Sequence, residues 1–179
     1  MADYVTGVLL VGGASARFGS PKPLAFFDGE TLAVRGWTVL GDAFPYRLAV
    51  GKGDLDLPFG VVVEPAEPRA PIAGVVAGLR ASTTEVAVFL PVDCPLVTPA
   101  LLRELGDARA VTQTGPLPGA YAKADLPELE SRVAAGDYSL RGLNLRVVEA
   151  NPRLLANANT PAELSALEQD LAAFDEQRP

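Results

Sequence analysis

Histidine is missing altogether from these 179 residues, and cysteine occurs once. The first absence removes an imidazole general base and any histidine metal site. The second leaves no internal disulfide framework and no cysteine cluster for zinc. Positive charge is also scarce: 15 Lys and Arg face 22 Asp and Glu, a formal net charge of −7. Such an acidic chain has no basic footprint for nucleic acid, although a few local cations and a metal ion suffice for a small anionic ligand. No apolar run approaches the roughly 20 residues of a membrane helix. The start, Met1-Ala2-Asp3-Tyr4, lacks the basic character of a secretory leader. Neither a nucleic-acid nor a membrane partner is expected, and a cytoplasmic location is. Any catalysis must use carboxylates, lysine, arginine, backbone dipoles or a bound metal.

What the chain does have is apolar residues, 49% of the total, enough to bury both faces of a sheet. Its length suits one domain, residues 1–174, with 175–179 as a frayed tail. Apolar, β-branched runs at Gly7–Val11, Arg47–Val50, Gly60–Glu64, Glu85–Leu90, Ala108–Gln113 and Leu145–Glu149 read as strands. A shorter strand is expected after the turn that opens Gly115–Ala122. Helices are expected from the Thr31 cap to about Asp42, over Pro71–Arg80, from Thr98 to about Leu105, over Leu126–Ala135, and from Thr160 onward. Ser139–Asn144 is read as one more helical turn. In the last helix Thr160 with Glu163 forms a capping box, and Pro161 takes the first position. Strand and helix alternate, which implies a single three-layer α/β/α domain with a Rossmann-like, mostly parallel sheet.

The chain is organised around one run, Gly7-Val8-Leu9-Leu10-Val11-Gly12-Gly13-Ala14-Ser15-Ala16-Arg17-Phe18-Gly19-Ser20-Pro21-Lys22. A doubly buried strand stops at two glycines, where a ligand can approach the main chain. Ser15 offers a hydroxyl, and Arg17 and Lys22 supply cations beside a loop rich in N–H donors. Such a loop suits a polyphosphate. It is not a G-x-G-x-x-G dinucleotide fingerprint, since five residues separate Gly13 from Gly19, and not a P-loop, because Lys22 stands between two prolines. At the end of the fourth strand, Asp93-Cys94-Pro95 places a carboxylate where open α/β sheets put their ligands. Cys94 reads as a packing residue, since nothing near it in sequence lowers its pKa.

The run resembles the signature of the molybdenum cofactor guanylyltransferases (the MobA family), roughly L-A-G-G-x-S-x-R-M-G-x-x-K, within the nucleotidyltransferases of nucleotide-diphospho-sugar-transferase fold. It departs at Val11 and Phe18. Ala70-Pro71-Ile72-Ala73-Gly74 resembles the family's G-P-L-A-G with alanine leading. Asp93-Cys94-Pro95 matches its D-x-P, and Asn157-Ala158-Asn159-Thr160-Pro161-Ala162-Glu163-Leu164 its C-terminal signature. The resemblance implies a nucleotide site of Leu10, Gly12, Gly13, Ser15, Lys22, Glu64, Pro71, Gly74 and Asp93. Glu64 stands near the place where relatives often carry a base-recognising aspartate. Catalysis falls to Lys22, Asp93 and Arg17, with Asp93 as the ligand of Mg2+. Asn157, Asn159, Pro118 and Arg141 fall to the second substrate. GTP and molybdopterin are the implied substrates, with transient contact to proteins of molybdenum insertion or to molybdoenzymes.

The nucleotide is not fixed by these residues. Gly12-Gly13 favours guanine, whereas Pro21 before Lys22 is closer to the cytidylyl and sugar-nucleotide branches. Two other classes remain: a nucleotide-binding protein without turnover, which Val11, Ala70 and Glu64 permit, and a small Rossmann oxidoreductase, which the absent fingerprint disfavours.

Overall fold

A computed structural model describes residues 4–12, 18–53 and 55–175. Among these described residues, nine strands and five α-helices follow one another as β1 (Val5–Leu10), β2 (Phe26–Phe27), β3 (Glu30–Thr31), α1 (Leu32–Ala43), β4 (Tyr46–Gly51), β5 (Val61–Val63), α2 (Pro71–Ala81), β6 (Val86–Pro91), α3 (Pro99–Ala108), β7 (Ala110–Thr112), β8 (Gly115–Ala122), α4 (Leu126–Ala134), β9 (Arg146–Val148) and α5 (Pro161–Asp175). Seven strands form one sheet in the order β5-β4-β1-β6-β8-β7-β9, and β2 pairs with β3 in a small separate hairpin. In the large sheet β8 alone runs against its neighbours β6 and β7; the other pairings are parallel.

β1 lies inside the sheet between β4 and β6, and every residue from Val5 to Leu10 is buried. Period-2 alternation sends its side chains to two different cores. Val5, Leu9 and Val11 pack with Leu32 and Leu40 of α1 and with Leu101, Leu102 and Leu105 of α3. Val8 and Leu10 pack with Ile72, Val75 and Leu79 of α2 and with Leu129 of α4. Helices therefore cover both faces, and the expected three layers are present.

Small residues bring the layers together. A Cβ on Gly36 of α1 would lie 2.6 Å from Leu9 Cδ1, and one on Gly78 of α2 would lie 2.6 Å from Phe89 Cε1. Both are shorter than carbon atoms tolerate, so alanine at either position would force the facing side chain or the helix itself to shift.

Three stretches differ from the sequence expectation. α3 continues past Leu105 to Ala108 and ends at Arg109 in the left-handed conformation, φ 47°; its guanidinium pairs with Asp125. β7 starts correspondingly later. Gly115–Ala122 is strand throughout, because β8 is inserted between β6 and β7 and bonds to both. Residues 139–144 form turns, not a helix. There Arg132 Nη1 donates to the carbonyls of Ser139 (3.1 Å) and Arg141 (2.5 Å), acceptors that a helical turn would use internally. Gly142 takes φ 81°, which a right-handed helix does not allow.

Candidate active site

The two central parallel strands, β1 and β6, end side by side. Val11 N donates to Val50 O at 2.9 Å and Val92 N to Leu10 O at 3.1 Å, so the ladder continues just past both strand ends. Gly12 and Asp93 follow at once. Above them opens a cavity of about 680 Å³, beyond the carboxyl ends of the strands. Leu10, Gly12, Lys22, Glu64, Pro71, Gly74, Asp93, Asn157 and Asn159 all line it. Nine residues singled out from five separate stretches of sequence thus share one cleft. Gly13, Ser15 and Arg17 lie outside the described residues. Leu117 lines the cavity, whereas its neighbour Pro118 is buried and is not part of the lining; Arg141 is exposed and does not line it either.

At one end three chain segments converge on Lys22, which opens a short 3-10 turn over Lys22–Leu24. Its Nζ lies 3.0 Å from Asp93 Oδ2 and donates to Asn159 Oδ1 at 3.2 Å. The same ammonium stands 5.8 Å from the centre of the Phe18 ring. Lys22 and Asp93 are 14% and 21% exposed, so the pair is accessible from the cavity. Asp93 also binds the C-terminal segment through its main chain, accepting from Ala158 N at 3.0 Å. Asn159 is fixed from behind: its N–H donates to Glu163 Oε2 at 2.6 Å, while Glu163 N donates to Thr160 Oγ1 at 3.2 Å. The capping box thus holds the backbone and leaves the Asn159 amide directed at Lys22. Cys94 is buried, and burial, reinforced by the Asp93 carboxylate, pushes its thiol far above the ordinary range. It packs, and does not act as a thiolate.

The other end holds a second lysine–carboxylate pair. Glu64 follows β5 and is only 6% exposed. Lys52, just past β4, places Nζ 3.8 Å from Glu64 Oε1. Lys52 also donates to the carbonyls of Pro65 (2.7 Å), Pro68 (3.0 Å) and Ala66 (3.2 Å). Burial raises the Glu64 carboxyl above its usual pKa, and the Lys52 charge offsets part of that rise. The sequence reading missed Lys52, a lone lysine in a polar turn; the glycines on either side of it were the available signal.

Among the described residues no group of three or more acidic, cysteine or histidine side chains is arranged to hold a metal. Asp93 offers a single carboxylate with the Asn159 amide nearby. That donor set fits a hard cation which takes most of its oxygens from phosphate and water, as Mg2+ does. No helix among the described residues is long and apolar enough to cross a membrane.

Comparison with known proteins identifies the family and the fold. The profile of the MobA-like NTP transferase domain matches residues 7–143. A molybdenum cofactor guanylyltransferase of Burkholderia vietnamiensis is 30% identical, the match covering 91% of this chain and 95% of that protein. A probable molybdenum cofactor guanylyltransferase of Flavobacterium johnsoniae is 27% identical over 95% of this chain and all of its own length. Among solved structures, molybdopterin-guanine dinucleotide biosynthesis protein A of Archaeoglobus fulgidus superposes with a TM-score of 0.77 at 21% identity, covering 94% of this chain and 99% of that one. At that identity it shows the shared fold.

Proposed function

This chain belongs to the family of MobA-like NTP transferase domains, and from that membership we propose the reaction it performs: a guanylyl group passes from GTP to the terminal phosphate of molybdopterin, giving the guanine dinucleotide form of the molybdenum cofactor. The chain is a nucleotidyltransferase. The observation that carries the reading is the meeting of Lys22, Asp93 and Asn159, from three distant segments, at one end of a single cavity.

An oxygen of the acceptor phosphate attacks the α-phosphorus of GTP. The bond from the α-phosphorus to the oxygen leading to the β-phosphorus breaks, and pyrophosphate leaves. The attacking phosphate is already ionised at neutral pH, so no general base is needed and the absent histidine costs nothing. Lys22 sets a positive charge against the phosphates and against the negative charge that grows as pyrophosphate departs. Asp93 is the residue that would hold Mg2+, which when bound neutralises and orients the triphosphate. Asn159 steadies Lys22 and, with Asn157 and Leu117, lines the remaining wall where the acceptor binds. Positioning and charge neutralisation supply the acceleration. Soluble substrates and the lack of a spanning helix among the described residues suit work in the cytoplasm.

The test supplies the protein with molybdopterin, Mg2+ and each nucleoside triphosphate in turn and measures pyrophosphate. Release with GTP is expected. Release with CTP alone would make the chain a cytidylyltransferase, and none with any triphosphate would make it a binding protein.

A further inference from the structure

The Glu64 end of the cavity is unsuited to phosphate. A carboxylate there would repel it, and the nearby Lys52 ammonium is already engaged by three carbonyls and a carboxylate. Val50, Ala66, Ala70 and Pro71 give this end apolar walls. With the triphosphate at Lys22 and Asp93, the base of the nucleotide falls here.

Space has been cleared for the Glu64 carboxylate from two sides. A Cβ on Gly12 would collide with its Oε1, and a Cβ on Gly74 would lie 3.1 Å from its Oε2. These glycines therefore accommodate a side chain of the protein itself. One carboxylate pairs well with two adjacent N–H donors, which guanine presents on its N1 and 2-amino group. Adenine and cytosine instead set a bare ring nitrogen beside their amino group, and a carboxylate repels it.

We infer that Lys52 is the positioning residue of this base subsite: its one ammonium fastens the loop 65–68 into the cavity wall and holds the Glu64 side chain against Gly12 and Gly74, where it meets guanine. The inference rests on the nucleotide reading above. Among the described residues, the charged groups at this end are Lys52 beside Glu64 and Arg69 on the loop, the latter 3.2 Å from Glu67. β1 and α2 present Leu10, Gly12 and Gly74, which carry no charge. With Lys52 neutralised, Glu64 would be a buried carboxylate without its compensating cation, a cost relieved by protonation.

The experiment compares the parent chain with Lys52→Met, Lys52→Arg, Glu64→Gln and the double variant Lys52→Met/Glu64→Gln. Pyrophosphate release gives kcat and KM for GTP, and thermal unfolding is followed from pH 5 to pH 8. Lys52→Met is expected to raise the KM for GTP about tenfold or more while kcat stays within about threefold. Lys52→Arg restores part of that loss. The stability gap between the parent and Lys52→Met widens as pH rises, and adding Glu64→Gln removes the pH-dependent part. If Lys52→Met fails to fold, the double variant must fold and Lys52→Arg must keep GTP binding. An unchanged KM in Lys52→Met, or a stability gap that is constant with pH and unrelieved by Glu64→Gln, overturns the role of Lys52. A parent chain inactive with GTP overturns the nucleotide reading instead, and the unfolding comparison still decides for or against the Lys52–Glu64 coupling.

Discussion

A lysine faces a carboxylate at each end of the same cavity, yet the two pairs are built for opposite purposes. Lys22 and Asp93 touch at 3.0 Å, and both remain partly open to the cavity. Lys52 and Glu64 stand farther apart, at 3.8 Å, with Glu64 almost wholly buried and Lys52 tied to three carbonyls. Distance alone would rank the first as the stronger structural bond. The surroundings reverse that order. Water and ligand phosphates can replace either partner at Lys22–Asp93, so the pair can be rearranged at little cost to the fold. A buried charge has no such substitute and needs several partners at once. In the proposed reaction the first pair does the chemistry, and the second shapes a wall.

Removing the acting carboxylate should break this comparison most sharply. Asp93→Ala is expected to lower kcat by roughly a thousandfold or more, through loss of the divalent cation's protein ligand, with little change in thermal midpoint. Pyrophosphate release and circular dichroism check the two halves. Wild-type turnover in this variant would remove Asp93 from the mechanism. Unfolding would show that the pair is structural after all.

Lys22→Met follows, with kcat down by about a hundredfold to a thousandfold, the range for losing one donor to developing transition-state charge. The carboxylate it leaves behind is partly solvated, so stability should shift by about 1 kcal/mol at most. A large rise in KM for GTP with intact kcat would instead assign Lys22 to uniform binding.

The contrast between the pairs also marks where the sequence could be read and where it could not. Lys22, Asp93 and Asn159 were legible because each sits in a run that resembles a family signature; Asp93 alone was also marked locally, by a strand end followed by Cys94-Pro95. The Thr160–Glu163 box appears as expected. Lys52 has no local pattern, since its meaning comes from carbonyls 13 to 16 residues away that fold over it. Gly74 and Gly78 lie four residues apart on α2, and the structure gives them different neighbours. Gly78 lets α2 approach Val8 and Phe89, while Gly74 admits Leu10 and Glu64. Residues 139–144 went astray because helix propensity is local, whereas Arg132 captures their carbonyls from the neighbouring α4.

Acidity offers a quieter discrimination. Burial raises the Glu64 pKa in the folded chain above its value of 4.5 in the unfolded chain, with Lys52 partly opposing the rise. The sign follows from proton linkage: the folded state binds the proton more tightly. Glu64 therefore contributes stability in full below pH 4.5, and that contribution is lost as pH rises through the elevated folded value. Glutamine does not titrate. The unfolding free energy of the parent minus that of Glu64→Gln should fall as pH climbs from 4.5 towards neutrality, measured by urea unfolding at several pH values. A difference that is flat, or that rises, would mean that burial is not the dominant influence on this carboxyl.

The smallest effect belongs to Asn159, and it tests whether the Lys22 end is held by side chains or by the backbone behind them. The main chain at this point has its own anchors: Asn159 N to Glu163 at 2.6 Å, and Ala158 N to Asp93 O at 3.0 Å. Asn159→Ala removes neither, so the segment should stay in place and the fold should be unaffected. What it removes is one acceptor, at 3.2 Å, for the Lys22 ammonium. A single hydrogen bond to a charged group is worth about 1.5–3 kcal/mol, but water reaches this exposed site and takes over much of that bond. A kcat loss of about threefold to tenfold is therefore expected, near 1 kcal/mol. Thr160→Ala attacks the backbone side instead, loosening the cap at a cost of about 1 kcal/mol in stability. Should Asn159→Ala cost as much turnover as Lys22→Met, the amide would have to contact substrate itself. Should Thr160→Ala alone reduce turnover, Lys22 would be placed by the α5 cap and not by the asparagine side chain.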